Sequence, residues 1–406
     1  MGMGKKTMNV LAIDRGKPVR SAPLSPWPIY DEDEVAAAEQ VLRSGKVNYW
    51  TGDECRQFES EFAEYHGVAH GIALANGTLA LELALRVLNV GAGDEVIVTP
   101  RSYFASASCI VLAGAIPVFV DVDEDSQNFT AGSIESAITE RTKAIIAVHL
   151  AGWPCDMPAI MELARRHDLF VIEDCAQAHG ARIDGQIVGS FGDLSAFSFC
   201  QDKIMTTAGE GGMLLTNDET YWKDAWSFKD HGKSWERVHA SDHPPGFRWL
   251  HEGIGSNWRL TEIQAAIGRL QLRKLEQWVT QRRANVLLLN EAFKDLGAFR
   301  LTLPPENVHH AYYKYYAFVR PERLRSNWSR DRILAALQAE GIPGWSGSCP
   351  EIYLEKAIAR KGQAVLPVAR ALGETSIMLP VHPTLSRADM EDIITAVCKV
   401  MRNATG

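Results

Sequence analysis

Short apolar, β-rich runs alternate with helical patterns between about residues 70 and 216, and this alternation limits the possible folds most. The runs that indicate strands are 70–75, 95–99, 117–121, 143–149, 169–174, 194–199 and 212–216. Strands that alternate with helices form mostly parallel sheets whose two faces are covered by helices. The sequence therefore predicts an α/β fold with a mostly parallel seven-stranded sheet between helices.

The chain on either side of this region is dominated by helical patterns. Amphipathic helices are predicted at 31–42 and 54–65, before the first strand. After the last strand come a long helical stretch from 261 to about 296, a strand at 312–320 and a helix at 330–341. We predict an N-terminal and large α/β domain over 1–265 and a smaller α+β C-terminal domain over 266–406.

Composition narrows the class of function. The 406 residues are 46% hydrophobic and 23% charged, with a net charge of −8, so neither nucleic acid nor a membrane is an expected partner. The start of the chain has no apolar stretch typical of a signal peptide. The seven cysteines have irregular spacing and fit no metal-ligand pattern. We expect a cytoplasmic protein that acts on small molecules and has no metal site.

Two polar residues follow neighbouring predicted strands. Asp174 ends the run 169–174, and Lys203 comes shortly after the run 194–199. Taken alone, a lysine is usually a surface charge and an aspartate after a strand is usually a helix cap. Together they suit pyridoxal 5'-phosphate, which needs an amine to hold its aldehyde as a Schiff base and a carboxylate to keep its ring nitrogen protonated. Open α/β sheets bind ligands at these strand ends.

A phosphate site is predicted where the first strand meets a helix. Gly77 and Thr78 offer two backbone amides, a hydroxyl and the positive end of the helix, and Ser198 could add a second hydroxyl. The alternative is an ordinary turn at Asn76 and Gly77, with Thr78 as the helix cap. Either interpretation places a helix start after the first strand.

Two further side chains could contact the ring of the same cofactor. Phe104 follows the second predicted strand and could stack on a pyridine ring, although an aromatic residue there is more often part of the core. Gln177, three residues after Asp174, could donate to the ring hydroxyl oxygen. Both would belong to the site that Asp174 and Lys203 define.

These motifs together resemble the DegT/DnrJ/EryC1/StrS family of sugar aminotransferases, within fold type I of the enzymes that use pyridoxal phosphate. The resemblance runs nearly from end to end. Its motifs are GTLAL at 77–81, GDEVI at 93–97, VHL at 148–150, EDCAQ at 173–177, FSF at 197–199 with Lys203, GEGG at 209–212 and GSNWR at 255–259. Each motif is weak alone, but their order and number are specific.

The resemblance implies a role for each candidate residue. It makes Lys203 the Schiff-base lysine and general base, and Asp174 the partner of the ring nitrogen. It implies cofactor contacts for Gly77, Thr78, Phe104, Gln177, Ser198 and Asn257. In this family the asparagine at the position of Asn257 reaches the phosphate of the neighbouring subunit, so the resemblance also implies a homodimer with shared active sites.

The reaction implied is transfer of an amino group from L-glutamate or L-glutamine to a keto sugar. The acceptor implied first is a nucleotide-linked 4-keto-6-deoxy or 3-keto hexose of surface polysaccharide or glycoconjugate biosynthesis. Lys203 favours transamination, because the family's dehydratases have histidine there. Segments 16–19 and 27–28 are similar to a branch of antibiotic biosynthesis, which leaves a keto-cyclitol aminotransferase or an aminohydroxybenzoate-type enzyme as alternatives. A pyridoxal-dependent lyase and a non-catalytic regulator are the remaining hypotheses.

One segment departs from the family's shorter members. The aromatic and histidine-bearing stretch 235–251 is predicted to alter the mouth of the substrate site. A metal site at its histidines is the alternative, although their spacing fits no tight ligand pair. Candidates for substrate contact are Arg259, His310, Tyr313 and Tyr353, although each of these residue types is more often structural than substrate-binding.

Overall fold

The computed structural model describes residues 10–243, 245–359 and 363–405. Its strands are β1 (His70–Leu74), β2 (Glu95–Val98), β3 (Ile116–Phe119), β4 (Thr142–Val148), β5 (Phe170–Asp174), β6 (Arg182–Ile183), β7 (Gln186–Ile187), β8 (Leu194–Ser198), β9 (Gly212–Thr216), β10 (Phe299–Leu301), β11 (Val308–His309), β12 (Tyr315–Val319) and β13 (Ser376–Leu379). Its α-helices are α1 (Glu32–Ser44), α2 (Glu54–His66), α3 (Gly77–Val87), α4 (Ala105–Leu112), α5 (Ala131–Glu135), α6 (Met157–His167), α7 (Glu219–Lys229), α8 (Trp235–His239), α9 (Glu262–Phe293), α10 (Arg330–Ala339), α11 (Pro367–Thr375) and α12 (Arg387–Ala404). Short 3-10 helices span Ala12–Asp14, Leu150–Gly152, Pro321–Arg323 and Ile352–Leu354.

The central sheet has seven strands in the order β1-β9-β8-β5-β4-β2-β3. Only β9 runs against its neighbours, and the other six strands point the same way. All seven predicted strands are in this sheet, with ends that differ by at most two residues. The predicted α/β fold with a mostly parallel sheet is therefore confirmed.

Both faces of the sheet are buried, which explains the continuous apolar runs in the sequence. Val96 and Val98 on β2 pack into one cluster with the helices α3 and α4, while Ile97 between them packs into another cluster with α6. Successive side chains on a strand point to opposite faces, so two helical layers need apolar residues at every position. The arrangement fixes where each strand ends.

A second, smaller antiparallel sheet has the order β10-β12-β13. Its core includes residues of α9, α10 and α12. Along the 32-residue helix α9, Leu275 packs with residues of the large sheet, whereas Leu289 packs with those of the small sheet. The predicted domain boundary at 265/266 lies within this shared helix and stays a prediction.

No helix in the described parts of the chain is both long enough and apolar enough to cross a membrane. The longest, α9, is amphipathic and carries many charged residues.

The buried carboxylate of Glu262 joins the start of α9 to the start of α2. Its Oε2 accepts from the backbone N–H of Glu54 at 2.6 Å, and its Oε1 accepts from that of Cys55 at 3.3 Å. The first amides of a helix have no partner within the helix, so an acceptor from elsewhere in the chain satisfies them. This contact links segments that are 207 residues apart.

Replacing Glu262 with alanine leaves these helix amides without an acceptor. We expect Glu262→Ala to lower the free energy of unfolding by about 1–3 kcal/mol, the usual cost of a buried polar group left unpaired. Urea denaturation followed by circular dichroism measures it. Glu291→Ala, which changes an exposed glutamate of the same helix, is the control. Equal midpoints for the two variants would contradict the role given to Glu262.

Candidate active site

The carboxyl ends of β1, β2, β5 and β8 open into a cleft of about 1100 Å³. Seven of the eight residues predicted from the sequence line it: Gly77, Thr78, Phe104, Asp174, Gln177, Ser198 and Lys203. Tyr313, Lys314 and Trp345 contribute to the cleft from the part of the chain that carries the small sheet. The cleft thus lies between the two sheets, with the predicted pair Asp174 and Lys203 on the large-sheet side.

Asp174 is 5% exposed and is held by two donors. The hydroxyl of Ser106 donates to its Oδ2 at 2.7 Å, and the backbone N–H of Ala176 donates to its Oδ1 at 3.2 Å. The Ser106 hydroxyl lies 2.9 Å from that of Ser102. Sequence reasoning missed Ser106, although its position two residues after Phe104 offered a signal.

The next residue towards the amino end, Glu173, faces the opposite side of the sheet and is completely buried. Its carboxylate accepts from His149 Nε2 at 3.0 Å, the backbone amides of Gly189, Phe191 and Gly192 at 2.8–2.9 Å and the hydroxyl of Ser195 at 3.1 Å. Burial raises the pKa of Glu173, but the contact with His149 and the backbone donors outweigh it, so the net pKa is lowered. An ionised carboxylate with this many donors fixes the end of β5 rigidly.

His149, Glu173 and Cys175 bring three potential metal-ligating atoms within 4.8 Å of one another. His149 Nδ1 accepts from the backbone N–H of Cys155 at 2.9 Å, so the proton of a neutral ring is on Nε2, which donates to Glu173. Burial raises the pKa of the Cys175 thiol well above its usual value. The arrangement is a hydrogen-bonded anchor for β5 in which both Glu173 oxygens already accept hydrogen bonds.

The turn between β1 and α3 has the shape of an anion site. The Asn76 side chain accepts from the backbone N–H of Leu79 at 3.0 Å, and the first intrahelical hydrogen bond runs from Ala80 to Asn76. The amides of Gly77 and Thr78 precede that bond and remain available to an anion. The predicted alternative, with Thr78 as the cap, is wrong, because Asn76 caps the helix.

Gly77 lies against Ser198 at this turn. A Cβ on Gly77 would be 2.6 Å from the Cβ of Ser198 and 3.1 Å from the carbonyl oxygen of Phe197. Only glycine fits at that distance, and the close approach brings the Ser198 hydroxyl beside the free amides. The Ser198 oxygen accepts from the backbone N–H of Cys200 at 3.3 Å, which leaves its own proton to donate.

Gln177 and Phe104 line the same cleft as Asp174. The Gln177 Oε1 accepts from the backbone N–H of Ala151 at 2.8 Å, which leaves the side-chain N–H groups as its available donors. Phe104 immediately precedes α4 and packs partly against the core beneath the cleft. The contacts with the cofactor ring that the sequence predicts for these two side chains stay predictions.

Lys203 is enclosed by the amino-terminal segment and by Tyr313. The indole N–H of Trp27 donates to the Lys203 carbonyl at 2.9 Å, and Lys203 Nζ lies 4.9 Å from the centre of the Tyr313 ring. The guanidinium of Arg282 lies 5.2 Å from the Trp27 ring centre and donates to the Tyr313 carbonyl at 3.1 Å. Burial lowers the pKa of Arg282 to about 9. No carboxylate among the described residues lies within 4.0 Å of Lys203 Nζ.

Asp202 links Lys203 to the small-sheet side of the cleft. The Tyr313 hydroxyl donates to its Oδ2, and Lys314 Nζ lies 3.6 Å from the same oxygen. Burial raises the pKa of Asp202, but the hydrogen bond from the Tyr313 hydroxyl and the charge of Lys203 lower it by more. The net pKa of Asp202 is therefore lowered. The sequence analysis missed Asp202 and Lys314, since nothing in the linear pattern brings residues 202 and 314 together.

Asn257 is the predicted site residue that does not line the cleft of its own chain. It pairs through its backbone with Asp230, whose carboxylate also accepts from Arg259 at 2.9 Å. Of the candidates for substrate contact, only Tyr313 lines the cleft. His310 instead stacks on Tyr312 at 3.7 Å, and the remaining two, Arg259 and Tyr353, pair with carboxylates elsewhere.

The segment 235–251 packs away from the cleft of its own chain. Trp235 contacts the rings of Trp222 and Trp226 on α7, with centroid distances of 4.6 and 4.8 Å. Phe247 and Trp249 are each 79% exposed. Of the segment's residues that the structure describes, none lines the cleft, so its effect on a substrate mouth stays a prediction.

Comparison with known proteins identifies the family. The model of the DegT/DnrJ/EryC1/StrS aminotransferase family matches residues 28–398. The chain belongs to this family. It is therefore an aminotransferase, and because this family depends on pyridoxal 5'-phosphate, the cofactor predicted from the sequence is confirmed.

Relatives of the DegT/DnrJ/EryC1/StrS family match most of the chain. A UDP-N-acetyl-3-dehydro-alpha-D-glucosamine 3-aminotransferase of Acidithiobacillus ferrooxidans is 40% identical, over 87% of this chain and 90% of the relative. A putative L-glutamine:3-amino-2,3-dideoxy-scyllo-inosose aminotransferase of Streptoalloteichus tenebrarius is 38% identical, over 97% and 98%. The crystal structure of an aminotransferase from Psychrobacter cryohalolentis is 51% identical, with a TM-score of 0.92, over 94% of this chain and all of that one.

The side chains in the cleft suit the cofactor of this DegT/DnrJ/EryC1/StrS aminotransferase. Lys203, the hydrogen-bonded carboxylate of Asp174 and the Gly77 turn all line one cleft, and an amine, a carboxylate and anion donors are the groups that the aldehyde, the ring nitrogen and the phosphate of this cofactor bind. The close approach of Gly77 to Ser198 forms a cradle that a larger residue would fill.

Gly77→Ala tests this cradle. The added Cβ forces the turn away from Ser198, and we expect the apoenzyme to bind pyridoxal 5'-phosphate about 10- to 100-fold more weakly, as overpacking by about 1–3 kcal/mol implies. Titration by fluorescence quenching measures the affinity. Gly297→Ala, at a glycine with open space around it, should bind like the native enzyme. Unchanged affinity in Gly77→Ala would remove the turn from the phosphate site.

Proposed function

We propose that this enzyme transfers an amino group from L-glutamate or L-glutamine to a keto sugar, through Lys203 and Asp174. The observation that carries the proposal is the convergence of Lys203, Asp174 and the Gly77 turn on one cleft at the carboxyl ends of the strands. Open α/β sheets use this edge for ligands. A lyase would use the same two residues, but membership of an aminotransferase family favours transamination.

When bound, pyridoxal 5'-phosphate supplies an aldehyde that accepts amines and a ring that stores an electron pair. Lys203 Nζ would hold the cofactor in the resting enzyme, and as a free amine it would be the base that accepts the α-proton of the bound amino donor. Asp174 keeps a proton on the ring nitrogen. The Ser106 hydroxyl and the Ala176 amide hold the Asp174 carboxylate in position for that contact.

The remaining candidates bind the cofactor around these two. Gly77, Thr78 and Ser198 donate to the phosphate, Gln177 donates through its free N–H groups to the ring hydroxyl oxygen, and Phe104 stacks on the ring. Asn257 lies outside its own cleft, and we propose that it reaches the phosphate in the partner subunit of a homodimer. A symmetric dimer is also the commonest oligomer.

The acceptor we propose is a nucleotide-linked 3-keto or 4-keto-6-deoxy hexose, in the biosynthesis of a surface polysaccharide or glycoconjugate. A relative that is 40% identical acts on a UDP-linked 3-dehydro sugar, as its name states. A keto-cyclitol acceptor is the second candidate, favoured by a relative that matches 97% of the chain. We place the reaction in the cytoplasm, since all seven cysteines are unpaired thiols.

The absorbance spectrum tests the function directly. The native protein should show the visible or near-ultraviolet band of covalently held cofactor, and L-glutamate or L-glutamine should shift it. In Lys203→Ala the covalent band should be absent and turnover reduced on the order of 10³-fold or more. With an acceptor present, initial rates should follow ping-pong kinetics. A native spectrum that neither donor changes would contradict the proposed donors.

Asp174→Asn separates the ring-nitrogen contact from binding of the cofactor. The amide keeps the shape of the side chain but loses the charge that stabilises a protonated ring nitrogen, so we expect kcat to fall by about 10²-fold or more. The covalent band should persist, because Lys203 is intact. Asp184→Asn, in an exposed turn, is the control and should match the native rate. A native kcat in Asp174→Asn would exclude this role.

A further inference from the structure

Lys314 is a second amine in the cleft that the proposed chemistry does not use. It immediately precedes β12, its side chain is 18% exposed, and it lines the cleft opposite the large sheet. Its Nζ lies 4.8 Å from the centre of the Tyr313 ring and 5.8 Å from that of Trp345. Lys203 Nζ lies 4.9 Å from the same Tyr313 ring. The two amines therefore border one part of the cleft.

The charge of Lys314 is only loosely paired. The one carboxylate within 4.0 Å of its Nζ, among the described residues, is Asp202 at 3.6 Å, which is too long for a hydrogen bond. That Asp202 oxygen already accepts from the Tyr313 hydroxyl. An ammonium has three donors to satisfy and is costly to bury unpaired, so this partly buried one has capacity for a further acceptor.

Neighbouring positive charges also favour the binding of an anion near Lys314. Burial lowers the pKa of Lys314, Asp202 raises it, and the charges of Arg282 and Lys203 lower it again, for a net lowering. The Arg282 guanidinium is itself buried, and its Nε and Nη2 have no hydrogen-bond partner among the residues that the structure describes. Arg282 does not line the cleft, but an anion bound beside Lys314 would offset the repulsion that these charges exert on it.

We propose that Lys314 binds a carboxylate of the substrate in this cleft. The inference rests on the proposed function, because it needs a substrate attached at the position of Lys203 Nζ. An amino acid attached there would carry its carboxylates within a few bonds of that position, near the part of the cleft that Lys203 and Lys314 both border. The carboxylate has two possible sources, the amino donor or an acidic sugar acceptor, and kinetics can separate them.

A purely structural role for Lys314 is the competing explanation. Its aromatic contacts with Tyr313 and Trp345 could by themselves hold the loop before β12. That role predicts lost stability and a general loss of activity. A carboxylate-binding role predicts weaker saturation by the carboxylate-bearing substrate alone, with cofactor binding and kcat largely kept.

The experiment compares the holoenzymes of Lys314→Met, Lys314→Arg and the exposed control Lys294→Met. Single-turnover absorbance measures half-saturation by L-glutamate, by L-glutamine and, in the reverse half-reaction, by 2-oxoglutarate. Calorimetry with glutarate, which cannot react, measures carboxylate binding without turnover. The acceptor half-reaction uses a UDP-linked 3-keto hexose and its counterpart with a carboxylate at C6.

We expect Lys314→Met to raise the half-saturating concentration of one carboxylate source about 10- to 100-fold, the usual range for a lost hydrogen bond to a charged group. Lys314→Arg should recover most of the lost affinity. Weaker L-glutamate, 2-oxoglutarate and glutarate binding identifies the donor. A loss confined to the acidic sugar identifies the acceptor. Unchanged values for every probe would overturn the proposal, while a native enzyme whose spectrum ignores both donors would contradict the proposed function instead.

Discussion

The buried carboxylate of Glu173 is the contact on which the geometry of the site depends. It collects donors from β8, from the loop before β8 and from His149 at the end of β4, and so ties the ends of adjacent strands together. Because neighbouring side chains on a strand face opposite sides, fixing Glu173 on one face fixes Asp174 on the other. Glu173 and the reactive carboxylate of Asp174 belong to consecutive residues, so the hydrogen bonds that hold Glu173 also fix the orientation of Asp174.

The cleft is completed by segments that are distant in the chain. Trp27 from the amino-terminal segment holds the Lys203 carbonyl, while Tyr313 and Lys314 from beside the small sheet form the opposite wall. The long helix α9 packs against both sheets and carries Arg282, which supports Trp27 and Tyr313 together. Movement between the sheets would therefore change the surroundings of Lys203 directly.

Much of the fold and the cofactor side of the site could be predicted from the sequence. The strand pattern worked because strands covered on both faces need unbroken apolar runs, and the residues after them were found because strand ends are where such sheets bind ligands. Ser106, Asp202 and Lys314 were missed for a physical reason. A lone serine, aspartate or lysine has no local signature, and its partner is distant in the sequence. Ser106 and Asp174 are 68 residues apart, and Lys314 and Asp202 are 112 residues apart.

The sequence by itself determined the sheet, the order of its strands along the chain and seven of the candidate residues that line the cleft, because hydrophobic periodicity and strand-end chemistry are local properties. Only the tertiary structure decided which face of the cleft each residue occupies and what surrounds it. The charges near Lys203 include those of Asp202 and Lys314, and electrostatic interactions depend on distance in space and on burial. Neither the distance between two groups nor their burial can be read from the order of residues in the chain.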